Sequence, residues 1–294
     1  MNEWEWKDLE RKEEIAAAEK DQGQSFRATH VKQKDLQVVI DNLFKYHKAF
    51  KVQRKNEGSK GNQFNFNYID INCGSGMNTK LEPPICGSPI TAINTCIAHD
   101  SMSSRFWLCD QGEAQINELN RFCKNNYSVY RLNRIQTFQQ DNAQFLKELS
   151  PKLLKENNRN INPLDVYGLL FADPNGIVDH PFEEIYAFLN RFPNVAVAIN
   201  WGYSASARVH SRSYGWKYPS SSTMRLNCNR KYWYLAKVAN RYTMMFGTNH
   251  EADNLQPLDY EYSLNGLKTN KKLAEKDAST YVPSQSVCKK GIPA

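Results

Sequence analysis

The 294-residue chain contains no run of about eighteen apolar residues, so no membrane-spanning helix is expected. It also has no Cys-x-x-Cys pair. Its 7 cysteines (Cys73, Cys86, Cys96, Cys109, Cys123, Cys228 and Cys288) are an odd, scattered set. The histidines are equally dispersed, so reduced thiols are expected rather than a disulfide framework, and no metal site. The opening residues, "MNEWEWKDLERKEE", lack the apolar centre of a signal peptide, and the expected compartment is the cytoplasm. Acid is missing from one long stretch: between Ile185 and His250 there is no Asp or Glu. That stretch carries Arg191, Arg208, Arg212, Lys217, Arg225, Arg230, Lys231, Lys237 and Arg241, with tryptophans and tyrosines between them. A cationic segment rich in planar rings suits a polyanion whose bases can stack. Nucleic acid, DNA or RNA, is therefore the expected partner, with Arg208, Arg212, Lys217, Arg225, Arg230 and Lys231 as contacts.

The chain is 40% hydrophobic, enough for a sizeable core, and carries a net charge of +7. Three parts are expected. Residues 1–28 read as a helical extension, 29–256 as one α/β domain with a basic aromatic insertion at about 203–241, and 257–294 as a polar tail. A helix should begin after Thr29, where Val31, Leu36, Val39, Ile40, Leu43 and Phe44 recur at helical spacing. "VQRKNEGSKGNQ" reads as a solvated loop after it. Strands are then expected at Phe66–Ile71, Arg105–Cys109, Ser128–Leu132 or Ile135–Gln139, Val166–Ala172 and Val195–Asn200. Helices should fill the gaps at Ser88–His99, Glu113–Asn125, Ala143–Leu149 and Pro181–Phe192. This alternation predicts a mostly parallel, Rossmann-like sheet with helices on both faces.

Ligands of such sheets bind beyond the carboxyl ends of the strands. Asp70 closes the first strand, and Asn72, Gly74 and Gly76 follow in "DINCGSG". An acid ahead of two glycines suits a ligand with an amino group rather than a pyrophosphate, which needs G-x-G-x-x-G. S-adenosylmethionine has that amino group. Asp110 closes the second strand, where a ribose diol would be held. An excursion through "LEPPICGSPITAI" would explain why it lies further from Asp70 than the usual distance of about 20 residues. Asp141 and Asn142 follow the third strand, where adenine could be read, and Asp173, Pro174 and Asn175 follow the fourth.

Six segments together resemble the three-Cys-motif partner (TcmP) family: "THVKQKDLQVVIDNLFKYHKAF", "YIDINCGSG", "GSPITAI", "RFWLCDQGE", "FADPNG" and "RYTMMFGTNHE". They span roughly residues 25–255. The resemblance implies a class I S-adenosylmethionine-dependent methyltransferase-like fold, and a protein partner encoded nearby. The chain departs from the family's usual "DGFAGPG" between Asp70 and Gly76. It also has Asn175 where the family's D-P-[YF]-G turn carries an aromatic ring.

In-line methyl transfer needs an acceptor held in place and its proton managed. For an exocyclic amine, the Asp173 side chain and the Pro174 carbonyl would accept the N–H bonds, with Trp201 or Tyr203 in place of the missing ring. Attack at cytosine C5 would need a cysteine at this strand end, and none is there. Ribose O-methylation would need a lysine; Lys32, Lys45 and Lys237 are available and the sequence singles out none. Two readings compete with an enzyme of this kind: a non-catalytic nucleic-acid-binding adaptor, and a nuclease whose metal is held by Asp70, Asp110, Asp141 and Asp173.

Overall fold

The computed structural model describes residues 29–58, 64–78, 84–100, 104–156, 159–173, 181–200, 224–225, 227–235, 244–252 and 256–257. The expected helix within residues 1–28, the tail beyond 257 and most of the basic insertion lie outside the described residues.

Eight strands form one sheet: β1 Phe66–Asp70, β2 Ser104–Asp110, β3 Ile135–Gln139, β4 Tyr167–Ala172, β5 Val195–Asn200, β6 Tyr232–Leu235, β7 Met244–Thr248 and β8 Gln256–Pro257. Their order across the sheet is β8-β6-β7-β5-β4-β1-β2-β3. The five strands from β5 to β3 run parallel. β7 is antiparallel to both β5 and β6, so it enters reversed between the fifth and sixth strands. That wedge separates the topology from the plain dinucleotide-binding order 3-2-1-4-5-6. It is the arrangement of the Rossmann-like class I methyltransferase fold.

The helices are α1 Thr29–Asn56, α2 Ser88–Asp100, α3 Glu113–Asn126, α4 Asn142–Leu153 and α5 Phe182–Arg191. Because strand side chains alternate, the sheet feeds two cores. On one face Phe66, Tyr68, Leu108, Leu169 and Phe171 pack with Leu36, Val39 and Ile40 of α1, Ile90 and Ile93 of α2, and Leu119 of α3. On the other, Ile69, Trp107, Leu170 and Val197 pack with Phe145 and Leu149 of α4 and with Ile185 and Leu189 of α5. Every residue of β4 and all but the last of β5 are buried, which is why neither segment shows polar alternation in the sequence; β1 is equally buried although it carries Asn67 and Asp70.

The structure corrects one sequence reading and decides between the two alternatives of another. The segment read as a loop from Val52 onward is helical through Asn56, because Arg54 bonds Asp165 (Nε–Oδ1 2.6 Å) and pairs with Glu57, fixing the last turn. Of the two candidates for the third strand, Ile135–Gln139 pairs with β2, whereas Val129–Leu132 is a helical turn with Val129 and Tyr130 exposed. The excursion expected between β1 and α2 is a two-stranded ribbon, Met77–Asn78 against Ile85–Cys86.

α1 crosses one face of the sheet against the direction of the strands. Lys32, in its first turns, meets Asp173 just past the carboxyl end of β4, and Arg54, in its last, meets Asp165 ahead of β4. Between them the Tyr167 hydroxyl donates to the Leu43 carbonyl at 2.8 Å.

Candidate functional site at the carboxyl edge of the sheet

The chain turns sharply after β1. Gly74 and Gly76 have φ of 58° and 80°, a region that costs an L-residue roughly 1–2 kcal/mol. A Cβ on Gly76 would lie 2.6 Å from Leu119 Cδ1 of α3. The Gly76 carbonyl accepts from Gly87 N at 2.6 Å, which fixes the turn to the start of α2. The Gly74 amide donates to Asp110 Oδ2 at 2.9 Å, and the Gly112 amide donates to Asp110 Oδ1 at 2.9 Å. Asp110 thus clasps two glycine turns, at the strand end where a ribose-binding acid was expected.

Asp70 does not face a ligand, contrary to the sequence reading. Its side chain is fully buried. Asp70 Oδ2 accepts from Tyr68 Oη (3.0 Å) and Ser88 Oγ (2.7 Å), and Asp70 Oδ1 accepts from the Asn72 amide (3.1 Å). It ties β1 to the start of α2 from inside. Burial pushes its carboxyl up to about 7, with the charge of Asp173 adding to the rise and its three donors opposing it. The native state therefore keeps this proton across a range in which the unfolded chain, titrating near 3.8, has lost it. This contribution to stability is full below pH 4, declines as pH rises to about 7, and is flat above. Asp70→Asn should remove that slope. The variant's unfolding free energy relative to wild type should rise by about 4 kcal/mol between pH 4 and 7, at 1.36 kcal/mol per unit. Urea denaturation at both pH values checks this. A difference that stays constant with pH would show Asp70 ionised in the fold.

Asp141 caps α4: its Oδ1 accepts from the Ala143 and Gln144 amides, and Oδ2 from Gln111 Nε2. An N-cap accounts for this acid without a ligand. Asn142 beside it is buried. Two side-chain atoms nearby are buried with no hydrogen-bond partner: Asn72 Oδ1 in the glycine turn and Gln140 Nε2 just past β3. Buried polar atoms normally have partners, so an acceptor and a donor left open at the ends of β1 and β3 fit a polar ligand.

At the end of β4, Lys32 Nζ contacts both carboxylate oxygens of Asp173, at 2.8 and 2.9 Å, and Asn200 Nδ2, at the end of β5, donates to Oδ1 at 2.6 Å. Lys32 and Asp173 side chains are 18% and 19% exposed, so the pair is sheltered and still reachable. Sequence reasoning listed Lys32 without singling it out and missed Asn200. The signal was a lysine four residues ahead of Leu36 in the apolar stripe of α1, and a polar residue closing "VAVAIN". Asp35, one turn on from Lys32, was also missed; burial pushes it up to about 6, and its Oδ2 is buried without a partner. Pro174, Asn175, Trp201 and Tyr203 lie outside the described residues. Among the described residues no group of three or more His, Cys, Asp or Glu side chains could hold a metal ion.

The expected nucleic-acid contacts separate. Arg208, Arg212 and Lys217 lie outside the described residues, and Arg225 is half-buried. Arg230 is only 7% exposed, and its guanidinium donates to the carbonyls of Leu189, Phe192, Val195 and Asn229. It is bound inside the fold and cannot meet a phosphate. Lys231 is exposed, with its ammonium 4.7 Å from the Tyr232 ring centroid. Among the described residues no helix is long and apolar enough to cross a membrane. Cys73, Cys86, Cys96, Cys109, Cys123 and Cys228 are free thiols.

No protein-family model matches the chain, and no curated protein matches it. Among solved structures it is similar to LPL1258 of Legionella pneumophila, described as DUF519. Identity is 13% and the TM-score 0.43, over 71% of this chain and 85% of the other. It is also similar to the bifunctional kinase-methyltransferase WbdD, with 13% identity and TM-score 0.42 over 81% and 43% of the two chains. A third is the StiE O-MT segment, with 13% identity and TM-score 0.26 over 46% and 36%. The chain spans less than half of the last two. At this level of similarity no activity carries over.

Proposed function

We propose that the chain is an S-adenosylmethionine-dependent methyltransferase acting on nucleic acid. The observation that carries this is the joining of two features at one sheet edge. One is a positive-φ glycine turn clasped to Asp110; the other is the Lys32–Asp173–Asn200 cluster, one and two strands away across the same edge. The motif resemblance to the TcmP family supports the same reading.

The turn at Gly74 and Gly76 with Asp110, Asn72 and Gln140 would hold the cofactor. When bound, S-adenosylmethionine supplies a methyl group already activated on a sulfonium. The chain's own contribution is position. Asn200 fixes the orientation of the Asp173 carboxylate, Lys32 holds both of its oxygens, and a remaining lone pair accepts the N–H of an exocyclic amine and aims its nitrogen. Lys32 motivates a second reading, in which its ammonium contacts a ribose hydroxyl and lowers the cost of removing that proton. Methylated nucleosides from a labelled reaction separate N-methyl from O-methyl products.

Isothermal titration with S-adenosylhomocysteine tests the cofactor half. Wild type should give a saturable heat. Gly76→Ala should lose it, along with about 2–4 kcal/mol of stability, from the φ penalty and the Leu119 overlap. Wild-type protein that gives no heat overturns the reading.

A further inference from the structure

The outward face of α1 points to a second element of nucleic-acid binding, outside the basic insertion, and this inference rests on the nucleic-acid reading above. Positions 34, 37, 41, 45, 48, 52 and 55 follow one another by three or four residues and so form one line along the helix. On or beside that line lie Lys34, Lys45, Lys48 and Lys55, all exposed, and Lys51, half-exposed. Its acid is Asp41, which is held by His99 of α2 at 2.6 Å. From Thr29 to Asn56 there is no glutamate.

Folding explains only part of this row: Asp41 precedes Lys45 by four residues, a favourable acid-to-base spacing, and Lys34 lies beside the charge of Asp35. A solvated helix usually interleaves acids and bases at i,i+4. Here Lys45 and Lys48, Lys48 and Lys51, and Lys51 and Lys55 are like-charged neighbours, which weakens a helix. The negative end of the helix dipole favours cations in the last turn and so accounts for Lys55. It does not account for Lys48, and it disfavours Lys34 near the start. A membrane surface fits poorly as the occupant, because a helix lying in lipid inserts its apolar face. Leu36, Val39, Ile40 and Leu43 are already buried in the core, and the outward line offers only Val52.

We propose that this face is a docking rail for the phosphate backbone of nucleic acid. Lys34 to Lys55 spans about 32 Å at 1.5 Å per residue, comparable with one duplex turn of about 34 Å. Lys32, in the first turns of the same helix, faces inward to Asp173, so the Lys34 end of the rail lies at the same edge of the sheet as the candidate site.

The test is fluorescence anisotropy with labelled single-stranded RNA and duplex DNA over a salt series, comparing wild type with Lys45→Glu/Lys48→Glu/Lys55→Glu. These are solvent-facing positions, and circular dichroism with an S-adenosylhomocysteine titration confirms that the variant keeps its fold and cofactor site. Affinity for one of the two probes should fall at least about tenfold, and the slope of log K against log salt should flatten by about 2–3. Unchanged affinity and slope in a variant of a wild type that binds would overturn the rail and leave the nucleic-acid reading intact. A wild type that binds neither probe at low salt overturns both, and the cofactor titration then decides whether the methyltransferase reading stands. Binding only to phosphatidylserine vesicles makes the row a lipid contact and overturns the rail.

Discussion

Replacing Arg230 with methionine should destabilise the protein by about 3–5 kcal/mol while leaving nucleic-acid affinity at any salt within about twofold of wild type. The guanidinium is enclosed where α5 ends. Its Nη2 bonds the Leu189 and Phe192 carbonyls, and its Nε bonds the Val195 carbonyl at the start of β5. The Leu189 carbonyl belongs to the last turn of α5 and has no partner inside the helix, so this cation satisfies it and faces the negative end of the dipole, while the Phe192 carbonyl just past the helix also accepts from the Val195 amide at 3.1 Å. Burial depresses the group to about 10, and it is still charged at neutral pH. Methionine is of similar volume and donates nothing, so the Leu189 carbonyl would lose its side-chain donor and the Phe192 carbonyl would keep only the Val195 amide, which makes the loss much larger than that of a surface arginine. Lysine should rescue only in part, because a single Nζ cannot reproduce the planar fork. Urea denaturation measures the cost. A variant with wild-type stability but weakened nucleic-acid binding would restore Arg230 to the surface role its sequence context suggested.

The second large effect belongs to the cluster that closes β4. Asp173→Ala should reduce methyl transfer by about 10²–10⁴-fold, and Lys32→Met by at least about 10²-fold, with S-adenosylhomocysteine affinity changing little in either. The two side chains act as one unit through their two short contacts, so the double variant should be scarcely worse than Asp173→Ala alone. Purely additive losses would mean that the ion pair only anchors α1 to the sheet. Tritium-labelled transfer to mixed RNA and DNA reads the activity. The split between transfer and cofactor binding separates an acceptor-side role from general unfolding. If Asp173→Ala transferred methyl groups at the wild-type rate, the acceptor site would have to lie elsewhere.

How much of this could be read from the sequence differs between fold and site. The central strands were legible because burial on both faces leaves unbroken apolar runs, as in "YGLLFA", and runs of that kind have few alternatives. The strand-end acids were legible only as positions. Asp70, Asp110, Asp141 and Asp173 do close successive strands, yet three of the four have structural work in the fold. Asp70 is an internal tie to α2, Asp110 a clasp on two glycine turns, and Asp141 a helix cap. In a sequence an acid after a strand looks the same whether it faces solvent, an amide or a ligand.

Local sequence determined the alternation of strands and helices, the need for glycine at 74 and 76, and the excess of cations without acids between Ile185 and His250. Those follow from backbone sterics, side-chain periodicity and charge, which act over a few residues. Tertiary structure alone decided that α1 runs back across the sheet to bring Lys32 to Asp173, 141 residues away. It also decided that Arg230 turns inward while its neighbour Lys231 turns to solvent. Both outcomes depend on which backbone carbonyls and carboxylates the folded chain places within reach, and no spacing along the sequence encodes that.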